Sequence, residues 1–172
     1  APIVTDVTDL SRGAIPWFLF IFGMGSIAGT WAGGVLADLN NVAQILGGFL
    51  VTVVVLIAFF FLAEYTITAA IGVFIIGSMG SVLAIGLQIR LMHAAGDAQM
   101  LGAALNHSAL NMANGLGAWI GGVVIAGGHG YAAPSLAGAG LAVLGLAIFS
   151  IAIRMERGAA RQPNVKASTH AH

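Results

Sequence analysis

Three side chains in the second half of the chain, His107, Asn111 and Asn114, stand at i, i+4 and i+7. At 100° per residue that spacing puts them on one face of an α-helix. An imidazole takes up and releases a proton near neutral pH, and each carboxamide both donates and accepts hydrogen bonds. Such a stripe can line a solute path and carry a proton, or it can bond to a neighbouring helix. Ser78 and Ser81 add two hydroxyls that can line the same path or bond back to their own helix. No catalytic pattern accompanies them. The sequence holds no His-Glu-x-x-His, no Gly-x-Ser-x-Gly and no phosphate-binding loop. Gly23 and Gly25 fit a nucleotide-binding turn only loosely and lie inside an apolar run. Absence of cysteine removes thiolate metal sites and a thiol nucleophile. The expectation is therefore no enzyme, no cofactor and no metal centre, with His170 and His172 able to hold only a stray ion.

The elements that must position these groups follow from composition. Of 172 residues, 59% are hydrophobic and 7% charged, with 25 glycines, whereas roughly a quarter of an ordinary soluble domain is charged. Six basic and six acidic side chains cannot clothe a soluble globule of this size. Their positions leave charge-free windows at 13–37, 39–63, 65–89 and 98–153. A helix crosses the ~30 Å hydrocarbon layer with about 20 residues, so each of the first three windows fits one crossing. The fourth fits two, broken at Gly127-Gly128-His129-Gly130-Tyr131-Ala132-Ala133-Pro134. The fold expected is an all-α polytopic membrane bundle of five spans, about 14–37, 42–63, 66–92, 98–126 and 134–154. Ser11 is a candidate cap for the first and Asp97 for the fourth. Residues 158–172 read as a disordered cytoplasmic tail. The windows do not alternate with period two, which excludes a β-barrel reading.

The spans differ in character. Span 1 carries Gly25, Gly29, Gly33 and Ala37 at intervals of four, a stripe that lets another helix backbone approach closely. Span 2 is bulky from Leu50 to Phe61 and, like span 5, reads as lipid-facing wall. Span 3 ends in Gln88 and Arg90, whose stem can reach the headgroups. Span 4 combines the polar stripe with a stripe of small residues at Ala109, Ala113, Gly117 and Gly121. His107 falls about 15 Å from the start of that span, close to mid-membrane, where a polar group faces a cavity or a partner. Arg90, Arg154, Arg157, Arg161 and Lys166 gather on one side, against Arg12 on the other. The positive-inside tendency then places the C-terminus in the cytoplasm and the N-terminus outside. Zero net charge offers nothing to nucleic acid.

Gly34-Val35-Leu36-Ala37-Asp38, at the end of a glycine-striped helix, resembles the Gly-x-Leu-Ala-Asp signature of the major facilitator superfamily, in its second-half copy. Gln88-Ile89-Arg90 together with Asn106, Asn111, Asn114, Gly117, Trp119, Gly121 and Gly122 is similar to the late helices of that family's drug:proton antiporter and arabinose-efflux-permease-like branch. The resemblance covers residues 1 to about 157. It implies that the five spans are the eighth to twelfth helices of a twelve-helix transporter, a C-terminal fragment that lacks a seven-helix N-terminal part. It implies proton-coupled efflux of small organic solutes across the bacterial inner membrane, with the bilayer and the solute as partners. It further implies conformational roles for Gly34, Asp38 and Arg90. After Asp38 the sequence departs from the pattern: Leu39-Asn40-Asn41 stands where basic residues are expected. Two other readings stay open at this point, a five-span assembly protein that self-associates through its glycine stripes and an uncoupled facilitator.

Overall fold

A computed structural model describes residues 14–63, 65–128 and 132–160, with side chains described through Gly158. Four long helices are present: α1 (Ile15–Leu62), α2 (Thr66–Ala94), α3 (Gln99–Ala126) and α4 (Ala133–Ala160), with a 3₁₀ turn at Gly96–Ala98. All four are long and apolar enough to cross a membrane. Among the described residues there is no strand.

α1 has 48 residues and is interrupted at Asn40, whose backbone is extended (φ −164°, ψ 94°). A straight helix of that length would run about 72 Å, more than twice the hydrocarbon thickness. Instead the chain folds back. Gln44 Nε2 donates to the carbonyl oxygen of Gly33 at 2.9 Å, whereas eleven helical residues would separate the two by about 16 Å. At the far ends of the arms, Phe18 and Phe59 join Ala63 and Ala69 in one buried cluster. The elbow has a local cause. Asn40 Oδ1 accepts the Ala43 N–H at 3.0 Å, which caps the second arm three residues on. The arms are written below as 15–39 and 41–62.

Glycine sets how α2 joins them. Gly25, Gly29 and Gly33 face Phe74, Ser78 and Val82, so a step of four on one helix matches a step of four on the other and the pair runs parallel. A Cβ at Gly25 or Gly29 would overlap the carbonyl oxygen of Phe74 or Ser78. The two backbones therefore touch. Arm 41–62 runs antiparallel to α2, with Gly48 against Leu83 and Phe59 against Gly72. It also runs antiparallel to α4, with Leu56 against Gly138 and Phe49 against Gly145. This arm is thus more than lipid-facing wall. Leu50, Val54 and Phe61 are exposed on its outer side, but Ile45 is fully buried on its inner one.

α3 begins after a turn in which Gly96 adopts φ 54°, a conformation that glycine takes without steric penalty. That turn displaces the expected cap. Asp97 lies within the 3₁₀ turn, and the residue preceding α3 is Ala98, with no side-chain cap bond. α3 docks on α2 near this end, where Gly102 lies so close to Leu91 that a Cβ would come within 2.8 Å of its carbonyl oxygen. Gly127 and Gly128 then end α3, Gly128 at φ 77°, and Pro134 occupies the first turn of α4. Helix continues to Ala160 rather than stopping near 154, so the start of the anticipated tail is helical. Ser11, His170 and His172 fall outside the described residues.

Candidate solute-path face

The polar stripe lies on α3, and its surroundings are unlike those of any other element. Asn106 is 3% exposed, yet His107, Asn111 and Asn114 are all exposed, as is nearly every residue from His107 to Trp119. Between His107 and Trp119, α3 stands away from the other helices. The three groups point to one open side, where a carboxamide or imidazole is free to meet a guest or another chain. The small-residue stripe is equally uncovered: a Cβ at Gly117 meets nothing within 4 Å, and at Gly121 only Pro134 Cβ at 3.8 Å.

Ser78 does not share that side. Its side chain is 8% exposed, and its hydroxyl lies 2.9 Å from both the Gly25 and the Phe74 carbonyl oxygens, donating to one at a time. It belongs to the α1–α2 seam, where close glycine packing brings a foreign carbonyl within reach. Ser81, one turn further along α2, is half-buried. The structure brings His107, Asn111 and Asn114 together and leaves the two serines on a different helix.

The residues carried by the family-like motif gather at the elbow end. Gly34 is half-buried and a Cβ there meets nothing within 4 Å, while Asp38 is exposed. Arg90 is ion-paired with Glu156 on α4 and lies over the Phe149 ring, 5.9 Å from its centre. It therefore reaches across to α4 instead of only extending to the headgroups. Glu156 gave no sequence signal as its partner, because the pairing depends on how α2 and α4 end at the same level.

Two further polar residues were not anticipated. Gln44, 6% exposed, donates to the carbonyl oxygens of Gly33 at 2.9 Å and Val82 at 3.0 Å. Asn41 donates to the Gly86 carbonyl oxygen at 2.9 Å. A lone glutamine in an otherwise greasy span was the available signal, since a polar side chain in lipid seeks an internal partner. Grooves elsewhere are apolar, such as the one between arm 41–62 and α2 lined by Val55, Phe59, Leu62 and Ile71. Among the described residues no group of three acidic or histidine side chains could hold a metal ion.

The chain is 31% identical over 156 residues to the inner membrane transport protein YdhP of Escherichia coli strain K12, covering 91% of the chain and 40% of that protein. It is 28% identical over 156 residues to an uncharacterised MFS-type transporter, YfhI, of Bacillus subtilis, covering 91% and 39%. A probable sugar efflux transporter of Pasteurella multocida is 28% identical over 148 residues, covering 86% and 36%. The chain thus spans well under half the length of these relatives. No family model matches it, and no solved structure does. The extent of the match along the chain, the transporter names of its relatives and the four apolar helices agree: the chain belongs to the major facilitator superfamily of transporters.

Proposed function

We propose that this chain is the C-terminal part of a proton-coupled transporter that exports small organic solutes of the sugar or drug type across the bacterial inner membrane. The single observation that carries the reading is the open face of α3. His107 lies about 12 Å and Asn114 about 22 Å from the start of that helix, on either side of the middle of a ~30 Å core. Polar groups at that depth need a cavity or a partner, and no described element of this chain covers them.

In this reading the arms of α1 cross the bilayer separately, so that four helices make five crossings. The elbow end, with Arg90, Arg154 and Arg157, faces the cytoplasm by the positive-inside tendency, and the N-terminus lies outside. A seven-helix N-terminal part covers α3 and encloses the solute, and transport proceeds by rocking of the two bundles around the midplane site. The helices place no carboxylate mid-span, Asp38 lying at the elbow. A proton relay through carboxylates accordingly belongs to the N-terminal part, with His107 the proton-carrying candidate on the α3 face.

The test is reconstitution in vesicles under a proton gradient, with a monosaccharide and a lipophilic cation as solutes. The chain co-assembled with a seven-helix N-terminal part should export one of them, and Asn111→Leu or Asn114→Leu should reduce that flux at least tenfold without lowering the amount of assembled protein. Flux from this chain alone would defeat the fragment reading. Flux indifferent to the gradient would replace coupling by facilitation. A symmetric homo-oligomer abolished by Gly117→Leu would favour self-association instead.

A further inference from the structure

The elbow contains more hydrogen bonding than a turn requires. Asn40 caps the second arm by itself. Beyond that cap, both amide protons of Gln44 are engaged, one on the Gly33 carbonyl of arm 15–39 and one on the Val82 carbonyl of α2. One turn earlier on the same arm, Asn41 donates to Gly86, one turn later on α2. Three helical segments are therefore joined by side-chain donors aimed at backbone carbonyls. The space for the larger amide is built by glycine. A Cβ at Gly86 would lie 3.2 Å from Gln44 Cδ and Nε2, and one at Gly33 would lie 3.6 Å from Nε2.

The donors are satisfied and the acceptors are not: Gln44 Oε1 and Asn41 Oδ1 are buried without a hydrogen-bond partner among the described residues. That asymmetry points to donation as the purpose of the arrangement, because nothing among the described residues is positioned to reward the oxygens. A methionine at 44 would fill the same volume; it would not tie arm 15–39 to α2.

We propose that Gln44, seated between Gly33 and Gly86 and seconded by Asn41, is a lock that makes arms 15–39 and 41–62 and α2 one rigid body at the elbow end. Conformational change then passes around these three segments and not between them. The claim concerns this chain's own packing and stands or falls independently of which solute, if any, is transported.

The chain has no cysteine, so a single introduced thiol reports cleanly. Val82 is 3% exposed beside Gly33, and Val82→Cys puts the reporter in the locked seam. With the chain in lipid nanodiscs, its reaction with a small maleimide requires local opening. Adding Gln44→Met should raise the labelling rate about tenfold, for the loss of two interhelical hydrogen bonds. Gly86→Ala, which keeps the donor and fills its seat, should raise it in the same direction. A Gln44→Met rate within twofold of the parent overturns the lock.

A second measurement needs no substitution in the seam. In the unaltered chain labelled with ¹⁵N-glutamine, the side-chain amide protons of Gln44 should exchange with solvent at least tenfold more slowly than those of exposed Gln99. Equal exchange overturns the proposal even if the substituted chains fail to fold.

Discussion

Gly29 supplies the sharpest test of the parallel seam. A Cβ at this position would overlap the Ser78 carbonyl oxygen and lie 2.7 Å from both Ser78 C and Cα. These are backbone atoms, so no side chain can rotate away. Restoring an ordinary contact to the carbonyl oxygen as well as to the two carbons moves α2 outward by at least about 1 Å. A gap of that size forfeits about half or more of the dispersion energy of each flanking contact, including those at Gly25 and Gly33. It also stretches the Ser78 hydroxyl away from Gly25, a bond of 2.9 Å in the structure and worth about 0.6 kcal/mol in a membrane bundle. Gly29→Ala should therefore destabilise by about 2 kcal/mol, within the 1–3 kcal/mol typical of overpacking.

The control is Gly80→Ala on α2, where a Cβ meets nothing within 4 Å. It removes a helical glycine without a clash and should stabilise by up to about 1 kcal/mol. Thermal unfolding of the two variants in the same detergent, followed by tryptophan fluorescence, should give a lower midpoint for Gly29→Ala than for the parent and a higher one for Gly80→Ala. If Gly29→Ala melts at or above Gly80→Ala, the backbones do not touch at this seam and the reasoning from close approach fails.

Other substitutions probe the turns and the charged end. Asn40→Ala removes the cap on the Ala43 N–H and should lower stability by about 1 kcal/mol, read from the same unfolding midpoint. Gly96→Ala forces a side chain into φ 54° and should also lower it, by about 1 kcal/mol, while the neighbouring Ala95→Gly leaves the turn intact. Arg90→Gln and Glu156→Gln remove the same ion pair. A double-mutant cycle should give a coupling of no more than about 1 kcal/mol, because both side chains are partly exposed. That coupling should shrink as salt is raised.

The turns were legible in the sequence because they are marked by local chemistry. Asp38 with Asn40 and Asn41, Gly96 with Asp97, and the glycines before Pro134 each interrupt an apolar run, and the helices break at or near all three. The seam glycines were legible as a stripe for the same reason. What the stripe met was not, since Phe74, Ser78 and Val82 are set by a register between helices rather than by spacing within one. Gln44 escaped notice on similar grounds: its meaning depends on Gly33, Val82 and Gly86 arriving together from two other segments. Ser78 shows how residue type alone misleads, because a hydroxyl that could face a solute is held in a seam by the glycine opposite it.

The open glycines of α3 lead to the last prediction. Glycine inside a helix costs about 1 kcal/mol relative to alanine. At Gly25, Gly29 and Gly33 that cost is offset by the approach of α2, whereas Gly115, Gly117 and Gly122 face open space within this chain. Taken alone, then, the chain should be stabilised by Gly117→Ala by up to about 1 kcal/mol, the opposite of the effect at Gly29. If α3 packs against the N-terminal part of a transporter, the same methyl falls in a helix–helix contact and should weaken co-assembly measured by affinity pull-down from mixed membranes. The two measurements together are decisive. A gain in stability with undiminished assembly would mean that this face meets lipid, and the small residues of α3 would then have no packing role.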